Sequence, residues 1–255
     1  MLDRPIGFMD SGVGGLSVLR AAVKAMPEEN FIYYGDSRNA PYGEKTREEV
    51  RKLTLNAVDH LLEKHIKALV IACNTATSVT VDELRKTLDI PVVSIEPAIK
   101  PALEQTDGRV LLLATDVTLA SPRVNRLIDR FDFSHRVVKV SCQRLAAEIE
   151  REVLATSDLE NYLTEILDPY RNCGATAAVL GCTHYPFIRD RISRHLGGVA
   201  IFDGIDGTVR HLKNLLTEQQ LKRPEKEKGT VTLESSLSDD RTIALYHQVF
   251  CGGKL

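Results

Sequence analysis

The sequence predicts an α/β protein made of two pseudo-symmetric domains, each a mainly parallel sheet flanked by helices. Three observations carry this. Short apolar runs alternate with longer amphipathic stretches along the chain, the pattern of strand and crossover helix. The runs are continuously apolar and do not alternate with polar residues, as in strands buried on both faces. One strand-and-tip pattern recurs: Leu69-Val70-Ile71-Ala72-Cys73-Asn74-Thr75 against Ala178-Val179-Leu180-Gly181-Cys182-Thr183-His184.

Strands are predicted within PIGFMD, ENFIYYGD, KALVIACNT, IPVVSIEP, RVLLLATD, HRVVKVSC and TAAVLGCTH. Apolar residues at helical spacing mark helices at Leu16 to Ala25, Lys45 to Lys64, Val79 to Leu88, Ser121 to Phe131 and Asp158 to Tyr170. An apolar strand with a hydroxyl-bearing tip opens each half, at Asp10-Ser11 and again at Thr115. The first domain is expected over 1–97 and 208–255, and the second over 98–207. The crossover falls at Ser94-Ile95-Glu96-Pro97 and the return in FDGIDGTV, whose turn residues precede another helix. The charged stretch LKRPEKEKGT reads as a solvated connection, and TIALYHQVFCGGKL as a short strand or helix with a frayed tail.

Composition narrows the function classes. The 255 residues carry 33 Lys and Arg against 35 Asp and Glu, a formal net charge of −2, and no Trp. That balance argues against a nucleic-acid-binding surface, and few aromatics remain for stacking on bases. No run approaches the ~18 apolar residues a membrane helix needs. The start MLDRPIGFMDSG lacks a basic end and apolar run, so no membrane and a cytoplasmic location are expected. Five cysteines, an odd number at scattered positions, form neither a disulfide framework nor zinc spacing, so free thiols and no metal are expected.

Open parallel sheets bind ligands just beyond the carboxyl ends of their strands, so the strand tips are where chemistry is expected. Cys73 and Cys182 each end a buried strand and are followed by hydroxyl, amide or imidazole groups. A helix start at such a tip offers free N–H groups and its positive dipole end, surroundings that lower a thiol from its usual pKa of about 8.5. Two matching thiols, one thiolate and one thiol, can take a proton from one face of a carbon and return one to the other, which is racemisation. Cys142, Cys173 and Cys251 lack this setting and read as structural.

Asp10, Ser11, Gly12, Gly14 and Gly15 form a strand-to-helix turn without the spacing of a dinucleotide loop or a Walker Lys-Ser/Thr. The Asp10 carboxylate there would repel phosphate, but could polarise a thiol or hold an ammonium group. His184, two residues after Cys182, is a candidate proton or ion-pair partner. His60, His65, His135, His195, His211 and His247 read as surface or packing residues. The loop GDSRNAPYGEKT supplies Asp36, Pro41, Tyr42 and Gly43, and its Tyr hydroxyl and backbone N–H groups suit a carboxylate.

Taken in order, IGFMDSGVGGLSVLR, YYGDSRNAPYGEKT, ALVIACNTATSV, PVVSIEPA and VLGCTHYPFI resemble the glutamate racemases of the aspartate/glutamate racemase superfamily, over about Ile6 to Leu215. The resemblance implies two α/β domains with the active site in the cleft between them. It also implies cofactor-independent interconversion of L- and D-glutamate, D-glutamate supplied for peptidoglycan, and a homodimer. Carried over by residue, Cys73 would deprotonate D-glutamate and Cys182 L-glutamate, assisted by Asp10 and His184 respectively, with Glu150 as a further acidic helper. Substrate contacts would come from Asp10, Ser11, Tyr42, Gly43, Asn74, Thr75, Thr183 and His184, with Thr115 and Thr118 behind them. The chain departs from the family pattern around Cys142, where CQRLAAEIE is more polar, and at Gly204, where the family usually has Ser.

Rival readings are an aspartate racemase or another superfamily member, and, from a different class, a nucleotide-binding module with flavodoxin-like topology. Decarboxylases of this fold use one thiol, so two matching cysteines disfavour them.

Overall fold

The strands predicted from continuous apolar runs are all present in the computed structural model, which describes residues 1–132, 135–152, 158–224 and 227–252. They are β1 (Ile6–Asp10), β2 (Phe31–Gly35), β3 (Ala68–Ile71), β4 (Val92–Ser94), β5 (Arg109–Ala114), β6 (Val137–Ser141) and β7 (Ala175–Leu180), followed by β8 (Ala200–Asp203) and β9 (Val231–Ser235). The first helices are α1 (Leu16–Ala25), α2 (Arg47–Glu63), α3 (Asn74–Thr87) and α4 (Ile99–Gln105). Next come α5 (Asp116–Leu119), α6 (Pro122–Phe131), α7 (Leu145–Glu152) and α8 (Leu159–Leu167). The series closes with α9 (Arg189–His195), α10 (Ile205–Glu218) and α11 (Asp240–Phe250). Among the described residues, no helix is long and apolar enough to cross a membrane.

The chain divides into two compact units. One comprises Met1–Ile95 and the described residues from Ile205 on, and the other comprises Glu96–Gly204. The first unit holds a sheet of order β4-β3-β1-β2-β9 and the second a sheet of order β6-β5-β7-β8, every pairing parallel. The recurring sequence pattern therefore has a structural counterpart. In each unit the first strand is central, the second pairs on one side of it, and the third on the other. The order reverses between β1 and β3 in one unit and between β5 and β7 in the other. Such reversal points leave a crevice beyond the carboxyl strand ends, because the flanking crossovers depart to opposite faces.

Alternation within buried strands sets the layers of the second unit. Leu111, Leu113, Ala178 and Leu180 join the residues of α7, α8 and α9 on one face. Val110, Leu112, Ala177 and Val179 join those of α4 and α6 on the other. In the first unit, Met9, Ile32, Leu69 and Ile71 pack on α2 and α3 through Val50, Val58, Leu61, Ala76 and Leu84. Each large side chain so buried stabilises the fold by about 1.5–3 kcal/mol before entropy is counted. On the opposite face Phe8 meets Phe31 edge to face at 5.9 Å, and Tyr33 meets Tyr246 of α11 at 5.6 Å.

Capping sets the helix starts. Thr46 and Glu49 form a reciprocal capping box at α2. Helix α3 starts at Asn74, five residues before the periodicity predicts, because the Cys73 thiol caps it. The predicted tail element is helix α11, capped by Asp239. After the charged stretch 221–230 the chain adds β9, to which the sequence reading assigned no element. It pairs in register with β2, from Phe31 opposite Val231 to Gly35 opposite Ser235.

At the amino edge of the first sheet the fully buried Lys67 ammonium lies 2.5 Å from a carboxylate oxygen of the equally buried Glu29 and donates to the Leu2 carbonyl at 2.6 Å. The other Glu29 oxygen accepts from the Arg223 backbone N–H at 2.8 Å, tying the returning chain to this edge.

Candidate active site

Parallel register brings Asp10, Gly35 and Ser235 to one edge of the first sheet, with Ile71 and Ser94 one residue behind. Just beyond this edge stand Ser11, Cys73 and Asn74. The Cys73 Sγ is 3.7 Å from the Ser11 hydroxyl and accepts from the Ala76 N–H at 3.4 Å, so the helix start supplies the donor predicted for it. Asp10 is fully buried, and its Oδ1 accepts from the Gly12 N–H at 2.9 Å, which folds the turn back over the strand. That turn needs glycine at position 15. A Cβ there would lie 2.6 Å from the Asp10 Cβ and 3.0 Å from the Ala72 Cβ, so α1 starts close against the carboxylate.

Asn74 is 4% exposed, and neither its amide nitrogen nor its amide oxygen meets a hydrogen-bond partner among the described residues. Buried amides are ordinarily paired, because an unpaired one costs about 1–3 kcal/mol. Thr75 is buried alongside it.

Tyr42 and Gly43 lie in a short 3-10 turn (Tyr42–Glu44), both buried. Here the structure differs from the expectation that the hydroxyl is offered to a ligand. The Tyr42 hydroxyl donates its one proton to Asp36 Oδ2 at 2.7 Å. Burial first, and then that bond and the nearby charges of Asp36, Cys73 and Asp10, push the phenol far above its ordinary range.

In the second unit, the tips of the adjacent strands β5 and β7 carry the remaining candidates. Cys182 follows Gly181, where a Cβ would sit 2.8 Å from the Ala114 Cβ and 2.9 Å from the Leu113 carbonyl oxygen. A 3-10 turn (Tyr185–Ile188) follows, so Cys182 does not cap an α-helix as Cys73 does. Its neighbour is an imidazole: His184 Nδ1 lies 3.7 Å from Cys182 Sγ, and His184 Nε2 lies 2.8 Å from Glu150 Oε1 on α7. His184 is 1% exposed. Burial acts to lower its pKa, but the hydrogen bonds and charges of Cys182 and Glu150 outweigh burial and hold it well above the ordinary histidine value.

Thr115 caps α5, its hydroxyl 3.1 Å from that of Thr118 and accepting from the Thr118 N–H at 3.4 Å. Both are buried, as is Thr183. Cys142 faces the core, and burial pushes its thiol far up, in keeping with a structural role. Tyr185, which the sequence reading passed over, fixes this tip from below. It is fully buried and donates to the Cys142 carbonyl at 3.0 Å. Of the other histidines, His60 pairs with Glu234 at 2.6 Å and His195 with Glu160 at 2.8 Å.

The first unit thus assembles a thiol, a hydroxyl, a carboxylate and an unpaired amide, and the second a thiol, an imidazole and a carboxylate. Each set has a weak acid with a group able to stabilise its anion, the equipment for moving a proton to or from carbon.

Comparison with known proteins gives this equipment a family. The profile of the Asp/Glu/Hydantoin racemase family matches residues 6–212. A glutamate racemase of Clostridium perfringens is 46% identical over 246 residues, covering 95% of each chain. A glutamate racemase isoform of Bacillus anthracis has a solved structure with TM-score 0.88 and 28% identity, matching 100% of this chain and 96% of its own. The glutamate racemase of Francisella tularensis, solved in complex with D-glutamate, gives a TM-score of 0.84 at 26% identity, with coverage of 100% and 96%. The chain belongs to the Asp/Glu/hydantoin racemase family and, within it, to the glutamate racemases, which are isomerases.

Proposed function

We propose that the protein interconverts L- and D-glutamate by a two-thiol mechanism. Cys73 takes the α-proton from D-glutamate and Cys182 the α-proton from L-glutamate. In each direction one sulfur, as thiolate, removes the proton and becomes a thiol. The other, a thiol at the start, donates its proton to the opposite face and becomes the thiolate. No proton is gained or lost overall, and the enzyme is left set for the reverse substrate.

The observation that most supports this is the unpaired Asn74 amide beside Cys73. It offers a buried donor and acceptor to a ligand bearing both an ammonium and carboxylates. Ser11 and the Ala76 N–H can hold the Cys73 thiolate, and His184, backed by Glu150, can hold the Cys182 thiolate as an imidazolium. The α-proton of an amino acid is a weak acid, so the carbanion must be met by fixed donors in a dry setting. The threonines, amides and N–H groups at the strand tips suit that task. The mechanism requires both thiols at one substrate carbon.

The wider reading is a cytoplasmic homodimer supplying D-glutamate for peptidoglycan. It is supported by the family membership, and light scattering tests the dimer.

The deciding experiment follows circular dichroism of L- and D-glutamate with the protein and its Cys73→Ala and Cys182→Ala variants. Both variants are expected to lose racemisation in both directions. Near-normal turnover in either one overturns the two-thiol mechanism.

A further inference from the structure

Tyr33 stands in the middle of β2, fully buried, and holds the chain that carries Ser11. Its hydroxyl donates to the Gly12 carbonyl at 2.6 Å. The Gly12 N–H donates to Asp10 Oδ1 at 2.9 Å, so both polar groups of the residue after Ser11 are fixed. On the other side, the Asp10 carbonyl accepts from the Asp36 N–H at 3.0 Å, which pins the residue before Ser11 to the end of β2. Ser11 is thereby bracketed, with its hydroxyl 3.7 Å from the Cys73 sulfur. The turn is also drawn tight against β2, since a Cβ at Gly35 would lie 2.7 Å from the Gly12 carbonyl oxygen. Packing keeps Tyr33 itself in place: its ring meets that of Tyr246 edge to face, at 5.6 Å and 82°.

From this geometry we infer that Tyr33 is a positioning residue for the Cys73 thiol: by holding the Gly12 carbonyl, its hydroxyl keeps the Ser11 hydroxyl beside the sulfur. The inference rests on the reading that Cys73 exchanges a proton with the substrate, and deepens it by giving the thiolate's hydroxyl donor a support. A hydroxyl stabilises a thiolate only within hydrogen-bond reach, and at 3.7 Å the two atoms have little distance to spare. A buried carbonyl deprived of its donor turns toward another partner, and turning the peptide after Gly12 carries Ser11 with it.

The test compares kcat/KM for both enantiomers in the wild type, Tyr33→Phe, Ser11→Ala, the Tyr33→Phe/Ser11→Ala double variant and Tyr246→Phe. Tyr33→Phe keeps the ring and removes only the donor. Its kcat/KM is expected to fall by roughly fivefold to tenfold for L- and D-glutamate alike, the worth of about one hydrogen bond. Ser11→Ala should fall at least as far. In that background Tyr33→Phe should cost less than about twofold more, because the group it positions is gone. Tyr246→Phe removes a buried hydroxyl 2.6 Å from that of Ser37 in the same aromatic pair, and should stay within about twofold of the wild type. Tyr33→para-aminophenylalanine, which returns a donor to the Gly12 carbonyl, should recover most of the loss. Unchanged kcat/KM in a folded Tyr33→Phe protein overturns the inference, as do losses that simply multiply in the double variant or an equal loss in Tyr246→Phe. If Tyr33→Phe does not fold, near-normal kcat/KM in Ser11→Ala overturns it equally, since no hydroxyl would then need placing. Near-normal turnover in Cys182→Ala would instead overturn the two-thiol reading and leave the coupling of Tyr33 to Ser11 standing.

Discussion

Glu150 Oε1 stands 2.8 Å from His184 Nε2, behind an imidazole whose Nδ1 lies 3.7 Å from Cys182 Sγ. The carboxylate and the sulfur together raise the folded-state pKa of the ring, so its stabilising charge is fully present below about pH 6.5, the unfolded value. That stability is lost as pH rises through the higher folded value. In Glu150→Gln the window of loss should move toward neutral pH, read by urea unfolding at a series of pH values, and kcat should fall about tenfold. Superimposable stability curves for wild type and variant would contradict this account of His184.

Thiol reactivity should rank with exposure among the cysteines outside the proposed machinery. Cys251 is exposed and Cys142 is buried with its thiol pushed far up. A short iodoacetamide pulse at pH 8, read by peptide mass, should label Cys251 and leave Cys142 intact until denaturant is added. Fast labelling of Cys142 in the native protein would show that the core around α7 and α8 opens.

Gly15→Ala should be costly although alanine is the better helix former. The new methyl meets the Asp10 and Ala72 side chains at 2.6 and 3.0 Å, so α1 must shift. A loss of about 1–3 kcal/mol in urea unfolding is expected, together with reduced turnover because Asp10 moves. A neutral or stabilising outcome would mean that the turn has slack the close approach denies.

Lys67→Met removes one partner of a pair in which both side chains are fully buried, leaving the Glu29 charge without its ammonium. The expected cost is about 3–5 kcal/mol, seen as an earlier urea midpoint, with KM for glutamate unchanged because the pair lies at the sheet edge opposite the site. A shift below about 1 kcal/mol would show that Glu29 takes up a proton or finds water instead.

What could be read from the residues follows their burial. The strands β1 to β5 and β7 are buried along almost their whole length, so their apolar runs are uninterrupted and legible, and with them the tips that bear Asp10, Cys73, Thr115 and Cys182. Strand β9 is an edge strand of mixed exposure behind a charged connection, and VTLES carries too weak a pattern to stand out. The first turn of α3 was hidden because its residues are threonines and alanines chosen for the tip, while the cap that starts it is a thiol. Nothing in spacing joins Glu150 to His184, since α8 and β7 intervene. The resemblance named each residue separately, and only coordinates join them by a hydrogen bond. The opposite holds for Tyr42, where a hydroxyl that looked available is spent on a neighbour six residues away.

Strand β9 lies against β2 although most of the polypeptide separates them. A ribosome therefore finishes the whole inserted unit while the earlier sheet still presents β2 as a bare rim. Such long-range closure is slow, and an unprotected rim invites pairing with another chain. Shortened products ending before Val231 should accumulate as aggregates even though both thiol-bearing tips have already been made.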